Sequence, residues 1–210
     1  MHVVIADDHP LFRTALSHAV SKVWPEAEIV EASSAAKARE ALEAAHAEAL
    51  LLDLHMEDSN GLSVLMDLRQ DYPALPISIV SASEEARVIG AARQLGAAAF
   101  IPKSSSLDAM RDALTAVREG DGWFPEATAD EDEDLAQIAS LTPAQRRILS
   151  SMREGLLNKQ IAYELDISEA TVKAHITAIF RKLGVNNRTQ AVLLAGKLDV
   201  EQPAADALSQ

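Results

Sequence analysis

The chain has 210 residues and no cysteine, room for one large or two small domains, and disulfides, thiolate catalysis and cysteine-ligated zinc or iron–sulfur centres are excluded. Its formal net charge of −13 argues against a surface that coats nucleic acid as a whole. No window approaches the ~18 apolar residues of a membrane span, and the opening MHVVIADDHP meets acids too early for a signal peptide, so a cytoplasmic protein with no membrane partner is expected.

His2 to Ala6 is a short apolar strand that runs into Asp7-Asp8, and Pro10 opens a helix with Leu11, Ala15, Leu16, Ala19 and Val23 on its apolar positions. A second strand over Ala27–Val30 precedes an alanine-rich helix from about Ser34 to Ala47. Leu50-Leu51-Leu52-Asp53 follows, three apolar residues leading straight to one carboxylate. After the loop Met56-Glu57-Asp58-Ser59-Asn60-Gly61 come a helix with Leu62, Leu65 and Leu68, a strand over Pro76–Ser81, and a helix from about Glu84 to Leu95 closed by Gly96. A fifth strand, Ala97–Ile101, ends at Pro102-Lys103, and a fifth helix spans Ser106–Glu119. Five strand–helix repeats with strands too apolar to face water predict a parallel sheet covered on both faces.

The pattern then stops, and residues 127–134 (Ala-Thr-Ala-Asp-Glu-Asp-Glu-Asp) read as solvated linker charge rather than as a metal site. Thr142-Pro143, with Gln145 at capping-box spacing, opens a second domain with helices at about 143–154, 158–165, 169–183 and 188–198. Gly155 and Gly184 end the first and third of these, and Asn158, Ser168 and Asn187 are expected as caps of the other three. Residues 141–198 carry nine basic and four acidic side chains, a local +5 within an acidic chain, which points to contact with nucleic acid.

Polar groups collect where the strands end: Asp7-Asp8, Asp53, Ser81 and Lys103. Open parallel sheets bind ligands at that edge. If the first and third strands are neighbours there, three carboxylates share one crevice, and a hard divalent cation such as Mg²⁺ relieves their repulsion. With a lysine and a hydroxyl beside them, the crevice suits a phosphoryl group carried by Asp53 as nucleophile. Phosphatases of the haloacid-dehalogenase type also use a strand-end aspartate, but they need a second aspartate two residues on, where this chain has His55.

Residues 7–13, Asp-Asp-His-Pro-Leu-Phe-Arg, together with Asp53-Leu54-His55-Met56, Gly61-Leu62 and Ala99-Phe100-Ile101-Pro102-Lys103, resemble the receiver domain of two-component response regulators of the NarL/FixJ family. The resemblance implies a flavodoxin-like sheet of order 2-1-3-4-5. It implies that Asp53 takes a phosphoryl group from a sensor histidine kinase and that Mg²⁺ is held by Asp8, Asp7, Asp53 and the His55 carbonyl. It further implies that Ser81 and Lys103 contact the phosphoryl group and that Ser81 and Phe100 form a switch pair in which the ring turns inward. The His55 side chain is expected at the pocket rim. Glu57 replaces the frequent proline after Met56, and Phe100 lacks the hydroxyl of the common tyrosine.

In the second domain, Leu141-Thr142-Pro143, Asn158-Lys159-Gln160-Ile161-Ala162, Thr171-Val172-Lys173-Ala174-His175 and Lys182-Leu183-Gly184-Val185 resemble the LuxR-type helix-turn-helix. The resemblance implies that 169–183 is the recognition helix, with Lys173, Ala174 and Thr177 toward the bases of promoter DNA. Thr171, His175 and Lys159 would lie nearer the backbone, and Arg181 shares the basic face. The helix 188–198 would dimerise. The expected layout is a receiver over 1–120, an acidic linker over 121–138, an all-α DNA-binding domain over 139–200 and a flexible tail over 201–210. Together these describe a transcription regulator switched by phosphorylation and acting as a homodimer; the alternative is a constitutive DNA-binding regulator whose receiver only dimerises or docks a partner.

Overall fold

The computed structural model describes residues 1–58, 61–126 and 132–200. The acidic residues 127–131, Ser59 and Asn60 of the acceptor loop, and the tail 201–210 lie outside the described residues. The chain divides into two compact units, the second spanning Asp132–Asp199.

The first unit contains five strands, β1 (His2–Ala6), β2 (Glu28–Ala32), β3 (Ala47–Asp53), β4 (Ile77–Ser81) and β5 (Ala99–Pro102). All pair in parallel, in the order β2-β1-β3-β4-β5. The helices α1 (Pro10–Val23), α2 (Ala35–Ala44), α3 (Leu62–Asp71), α4 (Ala86–Gln94) and α5 (Leu107–Glu119) alternate with them. Side chains alternate across each strand. Ile5, Leu51 and Ile101 therefore pack under α1 and α5 with Leu16, Val20 and Leu114. Val4, Leu50, Ile79 and Phe100, all without solvent exposure, point to the opposite face. Because β1 and β3 are neighbours, with Ala6 opposite Leu52, Asp7 and Asp53 leave the sheet side by side.

Local chemistry fixes the ends of these elements. Ser106 accepts from Ala109 N–H to start α5, and Ser34 accepts from Lys37 N–H to start α2. Gly96, just beyond α4, has φ +86°, and a Cβ there would come within 3.3 Å of Arg69 Nε.

Several boundaries move from the sequence expectation by a residue or two, and two move further. β3 begins at Ala47, where the alanine-rich helix was expected still to run, because α2 ends at Ala44 and Ala47 and Ala49 pair with β1. The first residues assigned to the linker belong to the sheet edge instead: Phe100 N–H donates to Trp123 O at 2.9 Å, Trp123 N–H donates to Ala98 O at 3.2 Å, and Arg93 lies over the Phe124 ring.

The second unit holds α6 (Glu133–Ala139), α7 (Pro143–Arg153), α8 (Asn158–Glu164), α9 (Glu169–Lys182), α10 (Arg188–Ala195) and a 3₁₀ turn over Gly196–Leu198. The expected linker thus contains a helix. Leu135 and Ile138 of α6 are buried, Lys197 Nζ ion-pairs with Asp132 Oδ2 at 2.8 Å, and Lys182 Nζ donates to Ser140 O at 2.7 Å. Thr142 and Gln145 form the expected capping box of α7. Ser168 and Asn187 cap α9 and α10, accepting from Thr171 and Gln190 N–H. Asn158 is not a cap: Leu157 occupies that position and has no oxygen to offer the helix donors, while its own N–H donates to Gln160 Oε1 at 2.7 Å.

Candidate functional site

The pocket lies at the carboxyl edge of the sheet. Asp7 follows β1, Asp53 ends β3 and Ser81 ends β4, and all three are completely buried. Asp7 is oriented by its own loop. His9 N–H donates to Asp7 Oδ1 at 2.7 Å, Asp7 N–H donates to Ala32 O at 3.0 Å, and Arg13 Nη1 holds Asp7 O at 2.7 Å. Lys103, just after β5, reaches between the two acids: Nζ is 2.7 Å from Asp53 Oδ2 and 2.8 Å from Asp7 Oδ2. The Phe12 ring faces the same ammonium group at 4.9 Å. Lys103 N–H donates to Ser81 O at 2.7 Å, which ties the β4 and β5 ends together.

His55 is not at the rim. Its side chain is only 7 % exposed, with Nδ1 3.7 Å from Asp53 Oδ1 and 3.4 Å from Ser81 Oγ. The first separation is too long for a hydrogen bond, but the His55 backbone N–H donates to Asp53 Oδ1 at 3.0 Å. Burial works to raise the Asp53 pKa; the adjacent His55 and the charge and hydrogen bond of Lys103 outweigh it and hold the carboxyl below its usual range. The carboxyl is thus held in its ionised form although no solvent touches it.

One ligand atom from each of Asp7, Asp8, His9 and Asp53 falls within 4.8 Å of the others. Asp7 Oδ2 and Asp8 Oδ1 are buried and receive no aligned hydrogen bond, although Lys103 and His9 stand close to them. Both carboxylates therefore keep an oxygen that no hydrogen bond commits. Hard, partly uncommitted oxygens in this number fit Mg²⁺.

Ser81 Oγ accepts from Ser83 N–H at 3.1 Å and so is engaged with its own loop. Phe100 is wholly buried, so the ring expected to turn inward already lies within the core. His9, Arg13 and Phe12 are pocket residues that strand-end logic does not single out. Only their place right after Asp7-Asp8, within the motif of residues 7–13, marks them.

In the second unit, Val172, Ile179 and Leu183 of the α9 region are buried in the helical core. Thr171, Lys173, Ala174, Thr177 and Arg181 are exposed along the opposite face, Lys159 is exposed on α8, and His175 is half-buried. Ser168 Oγ is 2.8 Å from Thr171 Oγ1, so two hydroxyls meet at the α9 N-terminus. Lys173 Nζ pairs with Glu169 at 3.0 Å, and the Thr177 hydroxyl donates to Lys173 O at 3.0 Å.

A doubly wound sheet with an acid–lysine crevice, joined to a helix-turn-helix unit, defines a two-domain response regulator. Residues 3–115 match the family described as response regulator receiver domain, and residues 139–195 match the bacterial regulatory proteins of the luxR family. The chain is 38% identical to the glycerol metabolism activator of Pseudomonas putida, over 94% of this chain and 96% of that one. It is 33% identical to the nitrate/nitrite response regulator protein NarP of Escherichia coli K12, over 91% and 93%. Among solved structures, RcsB from Salmonella enterica serovar Typhimurium bound to promoter P1flhDC has the same fold, with TM-score 0.57, 23% identity and coverage of 94% and 98%. The chain belongs to the NarL/FixJ family of response regulators, DNA-binding transcription regulators with an N-terminal receiver and a C-terminal LuxR-type helix-turn-helix. No helix among the described residues is long and apolar enough to cross a membrane.

Proposed function

We propose that Asp53 is the phosphoacceptor of a cytoplasmic two-component system and that its phosphorylation by a sensor histidine kinase controls promoter binding by α9. The observation that carries this reading is the pairing of a buried, ionised Asp53 with Lys103 at 2.7 Å. A carboxylate oxygen of Asp53 forms a bond to phosphorus as the phosphorus–nitrogen bond of the donor breaks, and the departing imidazole takes up a proton. Lys103 moves its charge onto the phosphoryl oxygens, and Ser81 Oγ leaves Ser83 N–H to do the same. Asp8, Asp7, Asp53 and the His55 carbonyl would hold Mg²⁺, which when bound would supply positive charge to the phosphoryl oxygens. The chain performs this transfer and its hydrolysis only on itself.

The layout assigned to the units is a receiver from residue 1 through about 126, a short acidic linker, and a DNA-binding unit that starts at Asp132. Lys173, Ala174, Thr177 and Arg181 face the major groove, while Thr171, His175 and Lys159 lie toward the phosphates. Leu193, 72 % exposed on α10, supports a homodimer through that helix. Because the Phe100 ring is already inside, the switch acts through Ser81 and the surface of α4 rather than through entry of a side chain.

The test is DNA affinity and dimerisation with beryllofluoride and Mg²⁺, on wild type and Asp53→Ala. Tighter DNA binding in the wild type alone is expected. An equal response in both proteins, or none in either, overturns the reading in favour of a constitutive regulator whose receiver serves as a docking or dimerisation module.

A further inference from the structure

Asp58 lies five residues beyond Asp53, in the loop that leads to α3. Its carboxylate reaches the start of α2, more than twenty residues earlier in the chain: Oδ1 accepts from Ala35 N–H at 2.8 Å and Oδ2 from Ala36 N–H at 3.0 Å. These are the first two backbone donors of that helix, whose third is already taken by Ser34 Oγ at 3.1 Å. The helix N-terminus attracts negative charge, and burial, which works against it, is outweighed by the Ala36 and Ala35 N–H groups, so the Asp58 carboxyl stays ionised below its usual range.

Ser34 caps only the third donor of α2, so Asp58 serves the two that Ser34 leaves open and in doing so ties the loop to the helix. Residues 54–61 contain no proline to stiffen them and must leave a buried strand end within a few residues. Leu54 and Met56, each 2 % exposed, anchor the near half of this path. Asp58 ties the path down again after Glu57, and upstream of it, between Leu54 and Met56, lies the His55 peptide whose N–H donates to Asp53 Oδ1.

We propose that Asp58 is a positioning residue for the phosphoacceptor pocket: by stapling the β3–α3 loop to the α2 N-terminus it fixes the His55 backbone against Asp53 and so sets how readily the pocket takes Mg²⁺ and a phosphoryl group. This rests on the function proposed above.

The experiment labels full-length wild type, Asp58→Ala, Asp58→Asn and Glu57→Gln with acetyl phosphate over a Mg²⁺ titration, with amide exchange followed over residues 34–38. Losing both charge-assisted bonds raises the Mg²⁺ concentration for half-maximal labelling by about three- to tenfold in Asp58→Ala. Asp58→Asn, which keeps one acceptor oxygen, falls between, and exchange at Ala35 and Ala36 quickens in both. Glu57→Gln, which removes the neighbouring charge but not the staple, titrates like wild type. Faster exchange with an unchanged Mg²⁺ midpoint would reduce Asp58 to a helix cap and overturn the inference. An equal shift in Glu57→Gln would assign the effect to charge alone and overturn it too. Failure to label wild type overturns the proposed function and this inference together, whereas failure confined to the Asp58 variants leaves that function standing.

Discussion

The ammonium group of Lys103 is 2.7 Å from Asp53 Oδ2 and 2.8 Å from Asp7 Oδ2, so one cation serves two carboxylates that are both completely buried. Replacing it leaves two like charges facing each other out of solvent. Lys103→Met is expected to cost the receiver about 3–5 kcal/mol in urea unfolding at pH 7, the range for breaking a buried ion pair from one side. Millimolar Mg²⁺ should recover part of that loss by ligand-linked stabilisation, more than it adds to wild type. An equal gain in both proteins would show that the cation and the lysine do not share these oxygens.

Acid should act on the receiver through Asp53. Its pKa is depressed in the folded state, so the unfolded chain takes up the proton more readily. The stability this supplies is present above the ordinary carboxylate range and is lost as pH falls through and below about 4. Asp53→Asn should shrink that acid limb of the receiver's unfolding profile and leave the part that Asp58 carries. The acid limb of the second unit should persist, because Asp132 there is held low chiefly by its hydrogen bond from Lys197. Unfolding followed from pH 7 to 3 on both proteins checks this.

Asp166 joins α8 to α9 with φ +51°, alone in that region among the described non-glycine residues. A short polar side chain tolerates the left-handed conformation, and a β-branched one does not. Asp166→Val is expected to destabilise the second unit by about 1–2 kcal/mol in thermal unfolding, with Asp166→Gly close to neutral. A neutral valine variant would mean that the turn can adopt another conformation without loss.

DNA binding should distinguish Lys173 from Lys159. Lys173 must give up its 3.0 Å pair with Glu169 to reach a base edge, and its loss should relax sequence discrimination by about 1–3 kcal/mol at one position. If Lys159 faces the phosphates as proposed, Lys159→Ala should weaken all sequences alike and lower the salt slope by about 1. Affinity for specific and scrambled duplexes across a salt series separates the two behaviours.

The pocket was legible because its logic is linear: apolar runs ending in Asp7, Asp53, Ser81 and Lys103 say both where the strands are and where they stop. The depth of His55 was not, since nothing in the sequence says which way a side chain turns after a strand end. Nor was the role of Asp58, whose partners are backbone groups of another helix. The start of β3 was hidden because Ala47-Glu48-Ala49 carries no strand preference of its own and is drawn into the sheet by pairing with β1. Helix α6 escaped notice because two buried residues, Leu135 and Ile138, are too few to show a period inside an acidic run.

The two lysines that grip α6 have a practical meaning for anyone who wishes to study promoter recognition without the receiver. A shortened protein starting at Leu141 would match the first apolar residue of the LuxR-like segment. It would also strip Leu135 and Ile138 from the core and strand Lys182, near the end of the recognition helix, and Lys197 without the groups that now hold them. The natural truncation point is therefore Asp132 or earlier, so that the isolated reader keeps the helix that braces it.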